Sequence, residues 1–205
     1  MGQREPESPA GPAVAAAKVA FRRQIHAHRA RQSAAERARA GAALRDAVLS
    51  LPQADMAGTV VAYYSMESEP DTHGLVYALW KRGSYVLLPL LQPDNDLDWA
   101  SYEGPHSLQP GARGLSEPVE PARGVDAVAR ADLVLVPALA VDRRGYRLGR
   151  GGGSYDRVLA RVGPNVPTVA LLYDGELVDE VPVTPHDQRV QLAALPSAGI
   201  IRLPS

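Results

Sequence analysis

Leu133-Val134-Leu135-Val136-Pro137 is an unbroken apolar run, and a few residues later the chain turns glycine-rich and basic: Asp142-Arg143-Arg144-Gly145-Tyr146-Arg147-Leu148-Gly149-Arg150-Gly151-Gly152-Gly153-Ser154-Tyr155-Asp156. The apolar run reads as a buried strand, and Arg157-Val158-Leu159-Ala160-Arg161-Val162 reads as a helix. A strand, a glycine loop and a helix N-terminus in that order make a phosphate cradle. Glycines let the main chain approach an anion, exposed N–H groups point at it, and the helix dipole adds partial positive charge. Arg147 and Arg150 add full charges that do not titrate near neutrality. Asp156 stands where a carboxylate can hold a magnesium ion bridging phosphates. The loop is not a Walker A motif, because no Lys-Ser or Lys-Thr follows the glycines. It does not fit G-x-G-x-x-G, whose third glycine would fall on Ser154. A plain strand-to-helix turn is the competing reading of the glycines, but such a turn needs none of the flanking arginines, the tyrosine or the aspartate.

Strands and helices alternate along the rest of the chain. Residues 1–13 are rich in Pro, Gly, Glu and Ser and read as a disordered tail, leaving 14–205 as a single domain. A basic helix is expected over 15–31, and Ser33-Ala34-Ala35-Glu36 fits a capping box that opens a second helix running to Leu49. Strands are expected over 59–64, 85–90 and 168–172, with a short edge strand over 99–102. A helix over 72–82 should stop at Gly83, and 126–130 should form a helical turn. Residues 105–123 read as a long loop of the kind that forms lids, and 181–201 stay undecided. The pattern predicts an α/β fold with a mostly parallel sheet and helices on both faces. Ligands bind such sheets at the carboxyl ends of the strands, where the glycine loop falls.

Composition narrows the function. With no cysteine among 205 residues, disulfides, thiolate catalysis and thiolate metal sites are excluded. The net charge of −1 provides no global field for nucleic acid or an anionic membrane. No run is long enough to span a membrane, so a cytoplasmic location is expected. The five histidines show no metal-ligand spacing, and His186 beside Asp187 reads as surface.

The segment 136–159 resembles the signature of the 5-formyltetrahydrofolate cyclo-ligase (5,10-methenyltetrahydrofolate synthetase) family. Pro137, Leu139, Asp142, Gly145, Arg147-Leu148-Gly149, Gly151, Gly153 and Tyr155-Asp156 stand in register with its pattern, which this chain leaves at Ala138, Val141 and Ser154. The likeness extends over 18–190. It implies a three-layer αβα fold like that of sugar-phosphate isomerases and CoA transferases. It also implies an ATP- and Mg2+-dependent ring closure of 5-formyltetrahydrofolate, with reduced folate and ATP as small-molecule partners. No nucleic-acid or membrane partner is implied, and a monomer or weak dimer is expected.

The same resemblance carries roles onto residues. Lys18, Arg22, Arg147, Leu148, Gly149, Arg150, Gly151, Gly152, Gly153, Ser154 and Tyr155 would bind ATP. Arg147, Arg150 and Tyr155 would act on the reacting groups. Met66, Asp71, Arg150 and the stretch Gly151, Gly152, Gly153 and Ser154 would contact the folate. Asp156 and Asp187 would share the magnesium ion, and Gln191 departs from the pattern that follows Asp187. Glu69 matches the first acid of the family's acidic segment, and Glu117-Pro118 a loop element given structure rather than chemistry. From the residues alone, Asp71 or Thr72 equally suits a helix cap, Asp156 a first-turn acid, and Asp187 a surface turn. Two other functions remain open: a sugar-phosphate isomerase-like enzyme working without ATP, and a nucleotide-binding module without turnover.

Overall fold

The structure is a computed structural model that describes residues 10–66 and 68–204. Its helices are α1 (Ala10–Arg29), α2 (Ala34–Leu49), α3 (Pro52–Met56), α4 (His73–Lys81) and α5 (Ser154–Arg161). Its strands are β1 (Thr59–Val61), β2 (Tyr85–Leu91), β3 (Leu97–Ser101), β4 (Leu108–Pro110), β5 (Ser116–Pro118), β6 (Leu133–Pro137), β7 (Ala140–Asp142), β8 (Arg147–Leu148), β9 (Thr168–Leu171), β10 (Leu177–Val178), β11 (Leu192–Leu195) and β12 (Gly199–Arg202). Seven of them form the main sheet in the order β12-β11-β9-β6-β1-β2-β3. The five central strands pair in parallel, and β3 and β12 close the edges antiparallel.

Burial on both faces explains why the central strands read as unbroken apolar runs. In β6, Leu133 and Leu135 face one way, and Val134 and Val136 the other. The first face packs on Leu44 and Val48 of α2 and on Leu75, Val76 and Leu79 of α4. The second packs on Val158 and Leu159 of α5, with Val128 and Trp99 completing the layer. The result is the expected three-layer α/β arrangement. α2 opens on the expected capping box, Ser33 and Glu36 each accepting from the other's backbone N–H. α5 is fixed by charge as well as packing: Arg161 makes a two-pronged bond to Asp96, at 2.9 and 2.5 Å. That bond holds the Asp96 carboxyl at about 2, well below the usual carboxylate range.

A second, three-stranded sheet, β10-β7-β8, sits beyond the carboxyl end of β6. Asp142 organises it from a fully buried position, accepting from the backbone N–H groups of Arg144, Tyr146 and Val181. Gly145 has φ 90°, and a Cβ there would lie 2.6 Å from the Val190 carbonyl oxygen. That close approach brings the 187–190 segment against the glycine motif. α1 covers the same region through Ile25, which packs with Leu139, Leu148 and Val181.

Several boundaries differ from expectation. α1 begins at Ala10, inside the segment read as tail, while residues 1–9 lie outside those described. The 59–64 strand ends at Val61, because the Tyr63 carbonyl leaves the ladder to accept from the Thr72 hydroxyl. The 105–123 stretch is not a bare loop. It contains the β4–β5 hairpin and two 3-10 turns, pinned to β2 where Glu117 Oε1 accepts from Leu91 N at 2.9 Å. That bond bears out a structural role for Glu117. The undecided 181–201 region supplies β11, buried along its length, and the first part of β12.

Candidate active site

A cleft of about 440 Å³ opens where β1, β2 and β6 end. Its walls include Tyr63 and Tyr64 after β1, Pro89 and Leu91 of β2, Pro137 to Leu139 after β6, and Arg113, Leu115 and Ser116 from the hairpin. The floor is the glycine loop. Gly151 and Gly153 sit at φ 107° and 70°, where a side chain is strained. Among the described residues, the N–H groups of Gly149, Arg150, Gly151, Gly152 and Gly153 find no hydrogen-bond acceptor. α5 starts directly after them on Gly153, with no side-chain cap. Loop and helix start therefore present unpaired donors to one place.

Cations surround this floor. Arg22 lies across the loop, its Nε donating to Gly149 O at 2.8 Å and its guanidinium 3.3 Å from where a Gly151 Cβ would stand. Arg147, on β8, is only 5% exposed. Its Nη2 forms an ion pair with Asp156 Oδ1 at 2.8 Å, while its Nε is buried without a hydrogen-bond partner. Burial pulls its pKa down despite Asp156. Arg150 is nearly half exposed, with Nε 3.3 Å from Glu69 Oε1 and Nη1 donating to Met66 Sδ at 3.2 Å.

Asp156 and Asp187 lie on adjoining segments. Asp156 Oδ1 accepts from Gln188 N at 3.1 Å, next to Asp187. Asp187 Oδ2 accepts from Lys18 Nζ at 2.5 Å and from Thr184 N at 2.6 Å. Burial alone would raise its carboxyl, but these bonds hold it below its ordinary value. Of Lys18 and Arg22, one turn apart on α1, Arg22 lines the cleft and Lys18 pairs with Asp187, neither of which is in its wall. Among the described residues no group of three or more His, Asp or Glu gathers as a metal centre.

Two expected contacts fall elsewhere. Leu148 is 1% exposed and packs with Ile25 and Val181, so its side chain belongs to the core rather than to a ligand. Asp71 is absent from the cleft wall. Its Oδ1 accepts from His73 N at 2.9 Å at the start of α4, and its Cβ lies against Gly41 of α2. Of the acids in this segment the one in the wall is Glu69, whose Oε2 accepts from Met66 N at 2.9 Å. The capping reading of Asp71 is the one this geometry supports, and proline at 70 turns the chain between the two acids. Asp71→Asn should change folate affinity less than about twofold and cost at most about 1 kcal/mol of stability. Glu69→Gln should weaken folate binding by about tenfold or more, as expected for losing a charged hydrogen-bond acceptor. Calorimetry and thermal melts on the two variants check the assignment, which equal binding losses would defeat.

Sequence reading also passed over Tyr63 and Arg113, both in the wall. Neither lies in a motif, and only the topology brings them to the cleft. Ser154 and Tyr155 do line it, the Tyr155 hydroxyl buried without a partner.

Fold and site together define the class: a three-layer α/β protein with a glycine-loop cleft at the carboxyl edge of a mostly parallel sheet. Residues 14–196 match the 5-formyltetrahydrofolate cyclo-ligase family, and the chain belongs to that family. It is 41% identical over 150 residues to the 5-formyltetrahydrofolate cyclo-ligase of Mycolicibacterium smegmatis, covering 71% of this chain and 77% of that one. It is 33% identical over 153 residues to the Escherichia coli K12 cyclo-ligase, covering 73% and 84%. The structure of Aquifex aeolicus 5,10-methenyltetrahydrofolate synthetase superposes with a TM-score of 0.79 at 28% identity, over 92% of this chain and 93% of that one. The chain is accordingly an enzyme of the ligase class. Among its described residues no helix is long and apolar enough to cross a membrane.

Proposed function

We propose that this enzyme closes 5-formyltetrahydrofolate to 5,10-methenyltetrahydrofolate while ATP becomes ADP and phosphate. The observation that carries the reading is the pairing of two unlike ends in one cleft. One end holds unpaired loop N–H groups, Arg22 and the buried Arg147 guanidinium, suited to a polyphosphate. The other end holds Glu69 among Tyr63, Tyr64 and Met66, suited to a flat ring with N–H donors. Arg150 touches Glu69 and belongs to the glycine loop, so it joins the two.

The chemistry follows from that arrangement. The N5-formyl oxygen is a poor leaving group. It takes the γ-phosphoryl group of ATP, ADP departs, N10 attacks the activated carbon, and phosphate leaves. Such a transfer needs positioning and charge stabilisation more than a protein nucleophile. Arg147 is almost wholly buried beside the loop, and Arg22 and Lys18 add charge from α1. Asp156 and Asp187 suit magnesium, which favours one or two carboxylates with phosphate and water oxygens, and the Lys18 ammonium already occupies a position of positive charge beside Asp187. When bound, that ion would offset phosphate charge.

The test follows methenyl product absorbance with ATP and magnesium varied independently. Product should require both. Asp156→Ala and Asp187→Ala should each raise the half-saturating magnesium concentration about tenfold or more, with a strongly non-additive double variant. Turnover without ATP, or an unaltered magnesium dependence in both variants, would refute the proposal.

A further inference from the structure

Tyr63 takes no part in the motifs above, yet its environment is that of a ligand-reading group. It follows β1, is 4% exposed, and forms part of the cleft wall. Its position is fixed, because its carbonyl accepts from Thr72 Oγ1 at 2.7 Å while Thr72 also bridges twice to Ser65. The same short segment holds Glu69 through Met66 N and, from Tyr173, through a hydroxyl that donates to the Glu69 carbonyl at 2.9 Å. One knitted loop therefore contributes both Glu69 and Tyr63 to the cleft lining. The phenol oxygen is buried with no hydrogen-bond partner. An unpaired buried hydroxyl costs stability, and burying one against a ligand cleft makes sense where the ligand supplies the partner. Burial raises the Tyr63 pKa well above its ordinary value, and Glu69 and Tyr155 add to the rise. The group thus keeps its proton and is a donor throughout the neutral range.

We propose that Tyr63 is a specificity-determining residue: its hydroxyl donates to the ring carbonyl oxygen of the bound pterin while Glu69 accepts from the ring N–H groups. This inference rests on the folate reading above. The pterin edge sets a carbonyl next to an N–H and an amino group, so one acceptor and one donor in the wall read it completely. Where an amino group replaces that carbonyl, the neighbouring ring nitrogen carries no hydrogen unless it is protonated, and the carboxylate keeps the 2-amino donor. The added phenol separates the two rings, because a buried donor facing an amino group is left unpaired.

Binding of 5-formyltetrahydrofolate and of its 4-amino-4-deoxy analogue is measured by calorimetry on the unaltered protein and on Tyr63→Phe. Phenylalanine fills the same space and removes only the unpaired hydroxyl, so the free variant should melt at or above the unaltered temperature. Its affinity for 5-formyltetrahydrofolate should fall about tenfold, its affinity for the 4-amino analogue should hold or rise, and ATP affinity should not change. An unchanged ratio of the two folate affinities would overturn the inference, and so would a strongly lowered melting temperature, which would mean that the hydroxyl has a partner within the protein. Absence of any folate binding by the unaltered protein would overturn the folate reading itself; binding without the change in ratio would overturn only the role of Tyr63.

Discussion

Arg147→Ala is expected to lower kcat by about two to three orders of magnitude, the loss seen when a donor aimed at developing charge is removed. The free protein should meanwhile melt within a few degrees of the unaltered chain. Both halves of the expectation come from the same geometry. The guanidinium is buried on β8, pairs through Nη2 with Asp156 at 2.8 Å, and leaves Nε without a partner. Burial pulls its pKa down although Asp156 pulls the other way, so desolvation offsets much of what the ion pair contributes. An incoming phosphate would use that charge where water cannot screen it. Arg147→Lys should recover only part of the loss, since an ammonium cannot offer the planar pair of donors. Steady-state kinetics beside thermal melts decide the matter. Wild-type turnover in the alanine variant would show that Arg147 serves the fold alone, as would a loss of activity that follows the loss of stability.

Glu176→Leu should have the opposite signature: a large loss of stability. Arg29 and Glu176 are each about 1% exposed, joined by two hydrogen bonds of 2.7 and 2.8 Å, and Arg29 also donates to Ala138 O at 2.8 Å. The Tyr173 N–H donates to Glu176 as well. Removing one partner of such a pair leaves a buried charge uncompensated and costs on the order of 3–5 kcal/mol. For a chain of this size that lowers Tm by roughly 6–20 °C. Replacing both, as Arg29→Met with Glu176→Leu, should restore most of the loss, because the penalty comes from the orphaned partner rather than from the absent bond. A single variant that melts within about 2 °C of the unaltered protein would contradict this account.

What could be read from the chain depended on how local the determinant was. The parallel sheet was legible because β6 and β9 are buried on both faces and have to be apolar throughout. α2 was legible because its capping box is written within four residues. The glycine loop was legible because left-handed backbone and unpaired N–H groups need glycine there. Asp71 and Glu69 show where this ends. They are two positions apart, equally acidic, and their difference lies in which way a turn points them. Leu148 was drawn into the ligand set by its neighbours, although its own apolar side chain belonged to the cluster under α1. The β4–β5 hairpin was missed because its support comes from Glu117 reaching β2, a contact no short-range pattern encodes. Tyr63 and Arg113 carry no local signal; they become wall residues only after distant strands pair.

α1 has a consequence for the order in which the molecule is made. It contributes Lys18, Arg22 and Arg29 to the region of the cleft, and their partners are Asp187, Gly149 and Glu176, at separations of 169, 127 and 147 residues. Contacts of such range form late, because the entropy of closing the intervening chain has to be overcome before they are made. While the polypeptide is still emerging from the ribosome, α1 exists long before anything it will clasp. The glycine loop is then synthesised before Asp187, the partner of Lys18. The clasp of α1 on the rest of the molecule is thus among the last features this fold acquires.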